Sequence, residues 1–525
     1  YMIPMFYQRI DFIPLTSNGK IDKKSLPNIV FDSKDFVSPN NPLEKEIFEL
    51  CASILGYDNF GVTNNLLSIG FNSLSLLKFS AKLFEKYNIE LNITDFNENN
   101  SIRRISKYIN SHQKIKYNKH KSKEYYPLSP QQTIHYLSLK NNHQNSKMES
   151  DHVAYRVKIK EKLDIIKFKK ALIKTIEVNS YIKTSFKYFN GKLCQKRNNF
   201  KIDNIKIHEK KLTTNIENEF IRSFNIFEAP LFRFEIYSYD GEIILLMDIH
   251  HLLVDNNSVW IFIDNLFEIY NDKTIFKEID YFDYSLDSQK MNLEKIRQTT
   301  SYLKNQIKRF LINSKIDKIT TQSFNQEVKF QFIPFNVEIY EKFCKKNNIL
   351  ISELFLATIS LALSKFLKKD QLLIAMTTNG RDNPKYFNTF GYFPNMLPLF
   401  INIKYDNMKD YLNHLKESIH NLMFLSPYLP KVMSEINFNW KSISSVFINY
   451  NYITLYSKNN CSLENIFFNK ELNIDIDDLV FLCIYDEQNK MIFLRVVFNS
   501  AIYSNEKIDY LIKDIHFFLK MISKS

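Results

Sequence analysis

Residues 242–270 read EIILLMDIHHLLVDNNSVWIFIDNLFEIY. The pattern predicts an apolar strand over 242–249 and, after a short turn, a helix over 258–270. Two adjacent histidines, His250 and His251, end the strand. Such a pair can belong to a core or to its rim, and a metal site is a further interpretation. Neighbouring strand residues point to opposite faces, however, and no third ligand is spaced nearby, so we predict no metal here.

The alternation of strands and helices continues on both sides of this stretch. A helix over 352–366 and a strand over 371–377 follow further along the chain. Alternating elements throughout 125–525 predict one large α/β unit, with two subdomains at roughly 125–300 and 301–525.

The residues upstream follow a helical pattern. Apolar residues at helical spacing behind Pro42, behind Ser73 and around Ile105 predict a small all-α bundle over 39–111. The polar, lysine-rich run 112–124 is interpreted as a linker, with a frayed helix end as the alternative.

The first segment, 1–33, is strand-like up to a turn at Asn18-Gly19. Some thirty residues cannot bury a core of their own, so we interpret this segment as the end of a larger domain. The chain also starts without a methionine, and we therefore expect its upstream part to be missing.

The bulk composition excludes several classes of protein. The 525 residues are 45% hydrophobic and 15% aromatic, which predicts a globular protein of more than one domain. The net charge of +13 comes from lysines spread along the chain, so we expect neither nucleic-acid nor membrane binding. The most apolar run, 349–367, is interrupted by polar residues and predicts a buried helix. Five cysteines without a CxxC pair predict reduced thiols in a cytoplasmic protein.

Residues 250–256, HHLLVDN, resemble the HHxxxDG signature of condensation domains, the peptide-bond-forming domains of nonribosomal peptide synthetases. The resemblance implies a pseudo-dimeric α/β fold similar to chloramphenicol acetyltransferase, with the active site between its halves. It implies a catalytic run in which His251 faces the substrate tunnel, with His250 and Asp255 beside it. A neutral imidazole can accept or steer the proton of an attacking amine near neutral pH. Asn256 replaces the glycine of the signature.

Further segments resemble motifs of the same family. The resemblance implies that Asp255 pairs with Arg381 to fix the loop, and that Asn395 supports the active site. The remaining histidines, His135 among them, are given no role. The matching segments are LSPQQ at 128–132, YFDY at 281–284, GR at 380–381 and GYFPNMLPL at 391–399.

Two alternatives to condensation stay open. The late HQDxPFE motif of the family is barely visible at 426–430, and RDxSRNPL is unrecognisable, which leaves room for a degenerate condensation domain that serves as a docking platform. Epimerisation domains share the histidine pair, but this chain has Thr377 where they carry the first glutamate of EGHGRE.

Residues 66–74, LLSIGFNSL, place a serine at a predicted helix start. Ser73 can simply cap that helix, but the free N–H groups and the helix dipole also suit a phosphodiester. The run resembles the carrier-protein motif LGG(H/D)SL, whose serine carries 4′-phosphopantetheine. The resemblance implies that 39–111 is a peptidyl carrier domain, a small all-α four-helix bundle, with this cofactor on Ser73, attached by a phosphopantetheinyl transferase.

Residues 14–27, PLTSNGKIDKKSLP, resemble the last motif of adenylation domains. In that family the lysine at the position of Lys20 reaches the acyl-adenylate, so 1–33 is interpreted as an adenylation remnant. The combined resemblances imply an upstream adenylation domain as a partner. They also imply that the group on Ser73 is the donor and that a downstream carrier domain brings the acceptor amino acid.

Overall fold

The computed structural model describes most of the chain, which forms two compact units. One unit comprises residues up to 118 together with 381–388, and the other comprises 119–380 and 389–525. The segment 1–33 with Lys20, and most of the run 112–124, lie outside the described residues. The described residues are 37–66, 68–69, 71, 73–91, 95–96, 98–111, 120–141, 151–202, 205–275, 279–313, 328–337, 340, 343–344, 347, 349–381, 383–405, 407–444, 446, 448–455, 461–465, 479–486, 490–500 and 502–523.

The upstream part of the first unit is helical, as its apolar spacing predicts. Its helices are α1 (Pro42–Leu55), α2 (Ser73–Tyr87) and α3 (Ile102–Ser111). A short helical turn at 95–96 lies between α2 and α3. The described residues between 37 and 111 therefore form three helices and this turn. Ile47, Phe79 and Ile105, one from each helix, are fully buried in a common apolar core.

Local signals place both ends of α1. Pro42 occupies the first turn, where a missing N–H costs nothing, and the Asn41 side chain accepts the N–H of Glu44 at 2.9 Å. Gly56 ends the helix with a φ of 79°, a left-handed conformation that a residue without Cβ adopts without strain. The helix predicted behind Pro42 is therefore confirmed.

The first half of the second unit alternates strands and helices. Strands β1 to β7 span Tyr125–Pro127, His152–Ile159, Ser185–Phe189, Lys192–Lys196, Lys206–His208, Phe232–Tyr239 and Glu242–His250. Helices α4 to α9 span Pro130–Asn141, Ile165–Val178, Thr214–Phe220, Asn256–Tyr270, Tyr281–Asp287 and Leu293–Asn313. β1, β4 and β3 form a small sheet, and β2, β7, β6 and β5 lie side by side in a larger one.

The second half is built on a sheet of its own. Strands β8 to β14 span Val328–Asn336, Gln371–Thr378, Asn395–Asn402, Ile448–Leu455, Cys461–Asn465, Leu479–Asp486 and Met491–Asn499. Helices α10 to α14 span Ile351–Leu367, Met408–Leu425, Leu429–Glu435, Trp440–Ile443 and Asn505–Ile522. Six strands pair in the order β10-β9-β11-β13-β14-β8, and β11 runs parallel to both of its neighbours.

The apolar run 349–367 forms helix α10, which packs into the core of this half. Leu354, Phe355 and Ile359 are fully buried there, so the prediction of a buried helix is confirmed. No helix within the described ranges is long and apolar enough to cross a membrane.

One strand of the second half completes the larger sheet of the first half. β12 pairs antiparallel with β2, and Cys461 lies opposite Ile159. The larger sheet therefore has five strands, in the order β12-β2-β7-β6-β5. Each half thus contributes its own sheet, as the chloramphenicol-acetyltransferase-like prediction requires, and β12 ties the second half to the first.

The segment 242–270 forms strand β7, a turn and helix α7. β7 lies inside its sheet between β2 and β6. Helix α7 begins at Asn256, two residues before the predicted start at Ser258. The reason is Asp255, whose carboxylate accepts the N–H of Ser258 at 2.7 Å and caps the helix.

Candidate active site

The two histidines at the end of β7 have separate surroundings. His250 is fully buried, its Nδ1 accepts the N–H of Leu252 at 3.1 Å, and its ring meets the edge of Phe224. His251 is half-buried and its ring contacts a different set of aromatic side chains. His250 is therefore enclosed by the protein, whereas His251 is the one of the two that is partly exposed.

The ring of His251 is held in one tautomer. Its Nδ1 lies 2.7 Å from the carbonyl oxygen of Val254, and a carbonyl can only accept a hydrogen bond, so Nδ1 carries the proton. Nε2 of the neutral ring then carries the lone pair that can accept a proton from a substrate.

Asp255 organises the backbone around this site. One carboxylate oxygen caps α7, and the other accepts the N–H of Phe393 at 3.3 Å. The N–H of Asp255 donates to the carbonyl of Gly391 at 3.2 Å, and Ser258 Oγ donates to the same carbonyl at 2.7 Å. Asp255 and Ser258 thereby hold segment 391–393 against the start of α7, which is a structural task rather than a chemical one.

Three of the family-like motifs meet at the ring of Tyr281. Its hydroxyl shares a hydrogen bond with Ser129 Oγ at 2.8 Å and donates to the carbonyl of Tyr392. A Cβ on Gly391 would come within 2.0 Å of this ring, so only glycine fits at that position. Segments 128–132, 281–284 and 391–399 are therefore parts of one packing arrangement.

The predicted supporting residues are buried or engaged. Asn395 is 2% exposed and its amide donates to the carbonyl of Ser426 at 3.4 Å. Asn256 is half-buried, and its amide oxygen accepts the hydroxyl of Tyr155 at 3.0 Å. Arg381 is 1% exposed. Its pairing with Asp255 stays a prediction.

A histidine that the sequence left without a role lies beside His251. The ring of His135, on α4, meets the edge of the His251 ring at a centroid distance of 5.4 Å. It also stacks on Tyr392 at 4.9 Å, and its Nε2 lies 2.6 Å from Oδ2 of Asp151. Nothing in the local sequence around His135 signals this, because Asp151, His251 and Tyr392 all come from other parts of the chain.

The charges of this site follow from burial and from the histidines. Burial raises the pKa of Asp151, but His135 and then His251 and His250 outweigh burial and hold that pKa below its usual value. Burial raises the pKa of Tyr392 far above its usual range, and the carboxylates of Asp151 and Asp255 raise it further. At neutral pH the site therefore combines a carboxylate and a neutral phenol with the rings of His135 and His251.

Thr377 lies on β9, where its hydroxyl donates to Asn449 Oδ1 at 3.2 Å. A threonine hydroxyl does not accept protons as a carboxylate does near neutral pH. This position therefore lacks the proton acceptor that an epimerisation domain carries.

In the first unit, α2 begins at Ser73, as predicted. The turn before it is closed by hydrogen bonds from the N–H of Ile69 to the carbonyl of Asn65 and from the N–H of Phe71 to the carbonyl of Leu66. Gly70, Asn72 and the side chain of Ser73 lie outside the described part of this turn.

Comparison with protein families gives two matches. Residues 122–525 match the family model described as Condensation domain. Residues 45–109 match the one described as Phosphopantetheine attachment site.

Several curated proteins are similar over most of this chain. Bacitracin synthase 3 of Bacillus licheniformis is 28% identical over 436 residues, which cover 80% of this chain and 7% of that protein. Surfactin synthase subunit 1 of Bacillus subtilis (strain 168) is 25% identical over 441 residues, covering 80% of this chain and 12% of that protein. The chain thus spans only a small fraction of the length of these relatives.

Among solved structures, the epimerization domain from the third module of tyrocidine synthetase B superposes with a TM-score of 0.64 at 12% identity, covering 78% of this chain and 99% of that domain. The condensation domain of Monacolin K polyketide synthase MokA gives a TM-score of 0.63 at 12% identity, covering 76% of this chain and 98% of that domain. At these identities the similarity shows the fold alone, and the fold is common to domains of different activity.

Proposed function

The chain belongs to the condensation-domain family, and we propose that it forms peptide bonds in nonribosomal peptide synthesis. The bond would join an aminoacyl or peptidyl group held as a thioester to the amine of an amino acid on a second carrier domain. The observation that supports this most directly is the tautomer of His251. Its Nδ1–H is committed to the carbonyl of Val254, which leaves Nε2 to receive a proton from the amine.

The proposed reaction balances without a further reactant. The amine nitrogen forms a bond to the thioester carbon as the carbon–sulfur bond breaks. The amine proton passes to Nε2 of His251, and the imidazolium returns it to the leaving thiolate. No nucleotide is consumed in this step, because the thioester is already activated.

Ser73 is the proposed attachment point of 4′-phosphopantetheine, which supplies the thiol that carries the donor group when it is bound. The described residues fit such a group, because Ser73 opens α2 and the first N–H groups of a helix of 15 residues favour an anion. Residues 65–71 contain no acidic side chain that would repel the phosphodiester.

The partners follow from this assignment. An upstream adenylation domain would activate the donor amino acid, a phosphopantetheinyl transferase would modify Ser73, and a downstream carrier domain would bring the acceptor. The irregular spacing of the five cysteines supports a reducing, cytoplasmic location as part of the same proposal.

A docking platform without catalysis is the second candidate, and Asn256 is the observation that favours it. The family signature has glycine there, whereas this chain holds a side chain in place through the 3.0 Å hydrogen bond from Tyr155. A side chain at this position can hinder the close approach of a substrate to the backbone.

A single-turnover transfer assay separates these functions. A phosphopantetheinyl transferase of broad specificity loads Ser73 from leucyl-coenzyme A, and a panel of aminoacyl N-acetylcysteamine thioesters then serves as acceptors. Wild type should yield leucyl-aminoacyl thioesters, detected by mass spectrometry. His251→Ala should load equally well but transfer about 100- to 10,000-fold more slowly, which is the usual contribution of a positioned acid–base group.

The contrary outcomes are specific. Equal transfer by wild type and His251→Ala would remove His251 from the reaction. If neither wild type nor Asn256→Gly transfers to any acceptor, the platform candidate is favoured. Conversion of the loaded L-leucyl group to its D form, read by chiral chromatography, would indicate epimerisation instead.

A further inference from the structure

Three rings and one carboxylate pack together at the end of β7. We call this set the His135 cluster, and it consists of His135, Asp151, His251 and Tyr392. Each of the three rings contacts the other two, with centroid distances of 5.4 Å between His135 and His251, 4.9 Å between His135 and Tyr392, and 5.4 Å between His251 and Tyr392. The condensation signature accounts for His251 alone, so the other members need a separate explanation.

Asp151 is linked to both histidines of the cluster. Its carboxylate lies 2.6 Å from Nε2 of His135, and its carbonyl accepts the N–H of His251 at 2.8 Å. The second contact extends the ladder of β2 and β7, in which His152 lies opposite His250. Strand register therefore fixes Asp151 beside His251, and the Asp151 side chain fixes the ring of His135.

The charge of Asp151 survives in spite of its burial. Burial by itself favours the neutral acid, but the interactions with His135, His251 and His250 keep the pKa below its usual value. Asp248, the next carboxylate along the sheet, is already paired with His152 at 2.9 Å and with Arg233 at 2.6 Å. Asp151, one residue before β2, is instead paired with His135.

We propose that Asp151 and His135 are positioning residues for the amide-forming step, and that the Asp151 carboxylate, held by His135, stabilises the protonated form of His251. The inference rests on the proposed function, in which His251 takes the amine proton at Nε2 and returns it to the thiolate. A fixed negative charge near an imidazole favours the imidazolium. His251 itself makes its Nδ1 contact with a neutral carbonyl, so the charge that balances its proton has to come from elsewhere in the cluster.

Other titratable groups surround His251 and act in the same region. His250 precedes it in the chain, Asp255 starts α7, and Tyr392 stays neutral because burial raises its pKa. Asp255 has both carboxylate oxygens occupied by the N–H groups of Ser258 and Phe393, which are neutral donors. Its charge contributes to the site, and these two bonds anchor the carboxylate to the backbone.

A purely structural role for His135 is the alternative, because its ring also fills space against Tyr392. The two roles differ in one measurable respect. A packing residue changes stability or the plateau rate, whereas a charge that supports His251 changes the pH at which His251 takes up its proton.

The test measures the titration of His251 in the full chain. Wild type, Asp151→Asn and His251→Ala are labelled with 13C at the histidine Cε1, and the signal absent from His251→Ala identifies His251 between pH 5 and 9. Asp151→Asn keeps the shape of the side chain and removes its charge. The midpoint of the His251 titration should move to lower pH by about one unit, the lower end of the range that a nearby opposite charge contributes.

Asp287→Asn is the matched control. Asp287 also holds a histidine, with Oδ1 at 2.7 Å from Nε2 of His120, but His120 has no ring contact with His251 among those in the described residues. This variant should leave the His251 midpoint in place. An unchanged midpoint in Asp151→Asn, or an equal shift in both variants, would overturn the inference.

His135→Phe gives a second, independent readout should Asp151→Asn fold poorly. The phenyl ring keeps the packing on Tyr392 but removes the group that fixes the Asp151 carboxylate, so its charge is no longer held in place beside His251. The His251 midpoint should again move to lower pH, while His135→Gln, whose amide can still donate to Asp151, should shift it less. A midpoint that His135→Phe leaves unmoved would count against the inference.

The transfer assay adds a kinetic arm. In Asp151→Asn the acidic limb of the pH–rate profile should move to lower pH, because His251 loses its proton at a lower pH. The plateau should also be lower, because His251 is then a weaker base. A lower plateau with an unmoved limb indicates packing only and contradicts the inference. If wild type shows no transfer, the proposed function fails, whereas the NMR titration still decides whether Asp151 supports the proton on His251.

Discussion

Gly391 lies against the ring of Tyr281 so closely that a Cβ there would come within 2.0 Å of Tyr281 Cδ2. The two residues belong to motifs far apart in the chain, and the contact brings segment 391–393 to the start of α7. There the N–H of Gly391 donates to Ser258 Oγ at 3.0 Å. The position of Tyr392, and with it the stacking surface for His135, follows from this contact.

Gly391→Ala should therefore destabilise the second unit and lower transfer activity. Overpacking of a closed core costs about 1–3 kcal/mol, measured as the change in unfolding free energy from urea titration. In a Tyr281→Ala background the same substitution should lower the unfolding free energy much less, because the ring that clashes with the new Cβ is absent. Equal costs in the two backgrounds would show that the ring contact is not the cause.

His250→Ala should reduce stability more than chemistry. The side chain is fully buried and its Nδ1 accepts the N–H of Leu252, so truncation leaves a cavity and an unsatisfied donor, at a cost of about 2–4 kcal/mol. Transfer per folded molecule should stay within about tenfold of wild type, in contrast to the larger loss in His251→Ala. Thermal unfolding and the transfer assay, run on both variants, check this; a His250 variant of normal stability without activity would contradict it.

Asp255→Ala should lower the free energy of unfolding by more than the loss of an ordinary helix cap does. Removing the cap of α7 costs about 1 kcal/mol, and the buried N–H of Phe393 loses its acceptor as well, for about 1–3 kcal/mol more. Asp164→Ala is the matched control, because Asp164 caps α5 at an exposed position through the N–H groups of Ile166 and Lys167. Urea titrations that give equal losses for the two variants would argue that Asp255 is only a cap.

Ser73→Ala should abolish attachment of the phosphopantetheine arm. Incubation with coenzyme A and a phosphopantetheinyl transferase should add one arm to wild type, seen by intact-mass measurement. Ser68→Ala is the control, since Ser68 lies in the turn before α2 and its hydroxyl donates to the carbonyl of Asn65 at 2.7 Å. An arm that persists in Ser73→Ala, or is lost in Ser68→Ala, would move the attachment site.

Local signals in the sequence suffice for the elements that carry these groups. Pro42 and Gly56 bound α1, and the apolar run before His250 defines β7, because helix ends and strand burial depend on neighbours within a few residues. The start of α7 is missed by two residues, since a capping aspartate and a helical residue look alike until the hydrogen bond from Ser258 is seen. The family signatures add the chemistry of His251, whose residue type and place at a strand end are visible in the sequence.

Only the tertiary structure brings His135 and Asp151 to His251. Asp151 arrives there through the register of β2 against β7, and His135 through the packing of α4 on Tyr392. The same holds for β12, whose pairing with β2 joins the two halves. Strand register and side-chain packing between distant segments depend on the whole core, and no local pattern encodes them. The sequence by itself therefore pointed to His251 as the histidine of interest, while tertiary packing decided which side chains lie beside it.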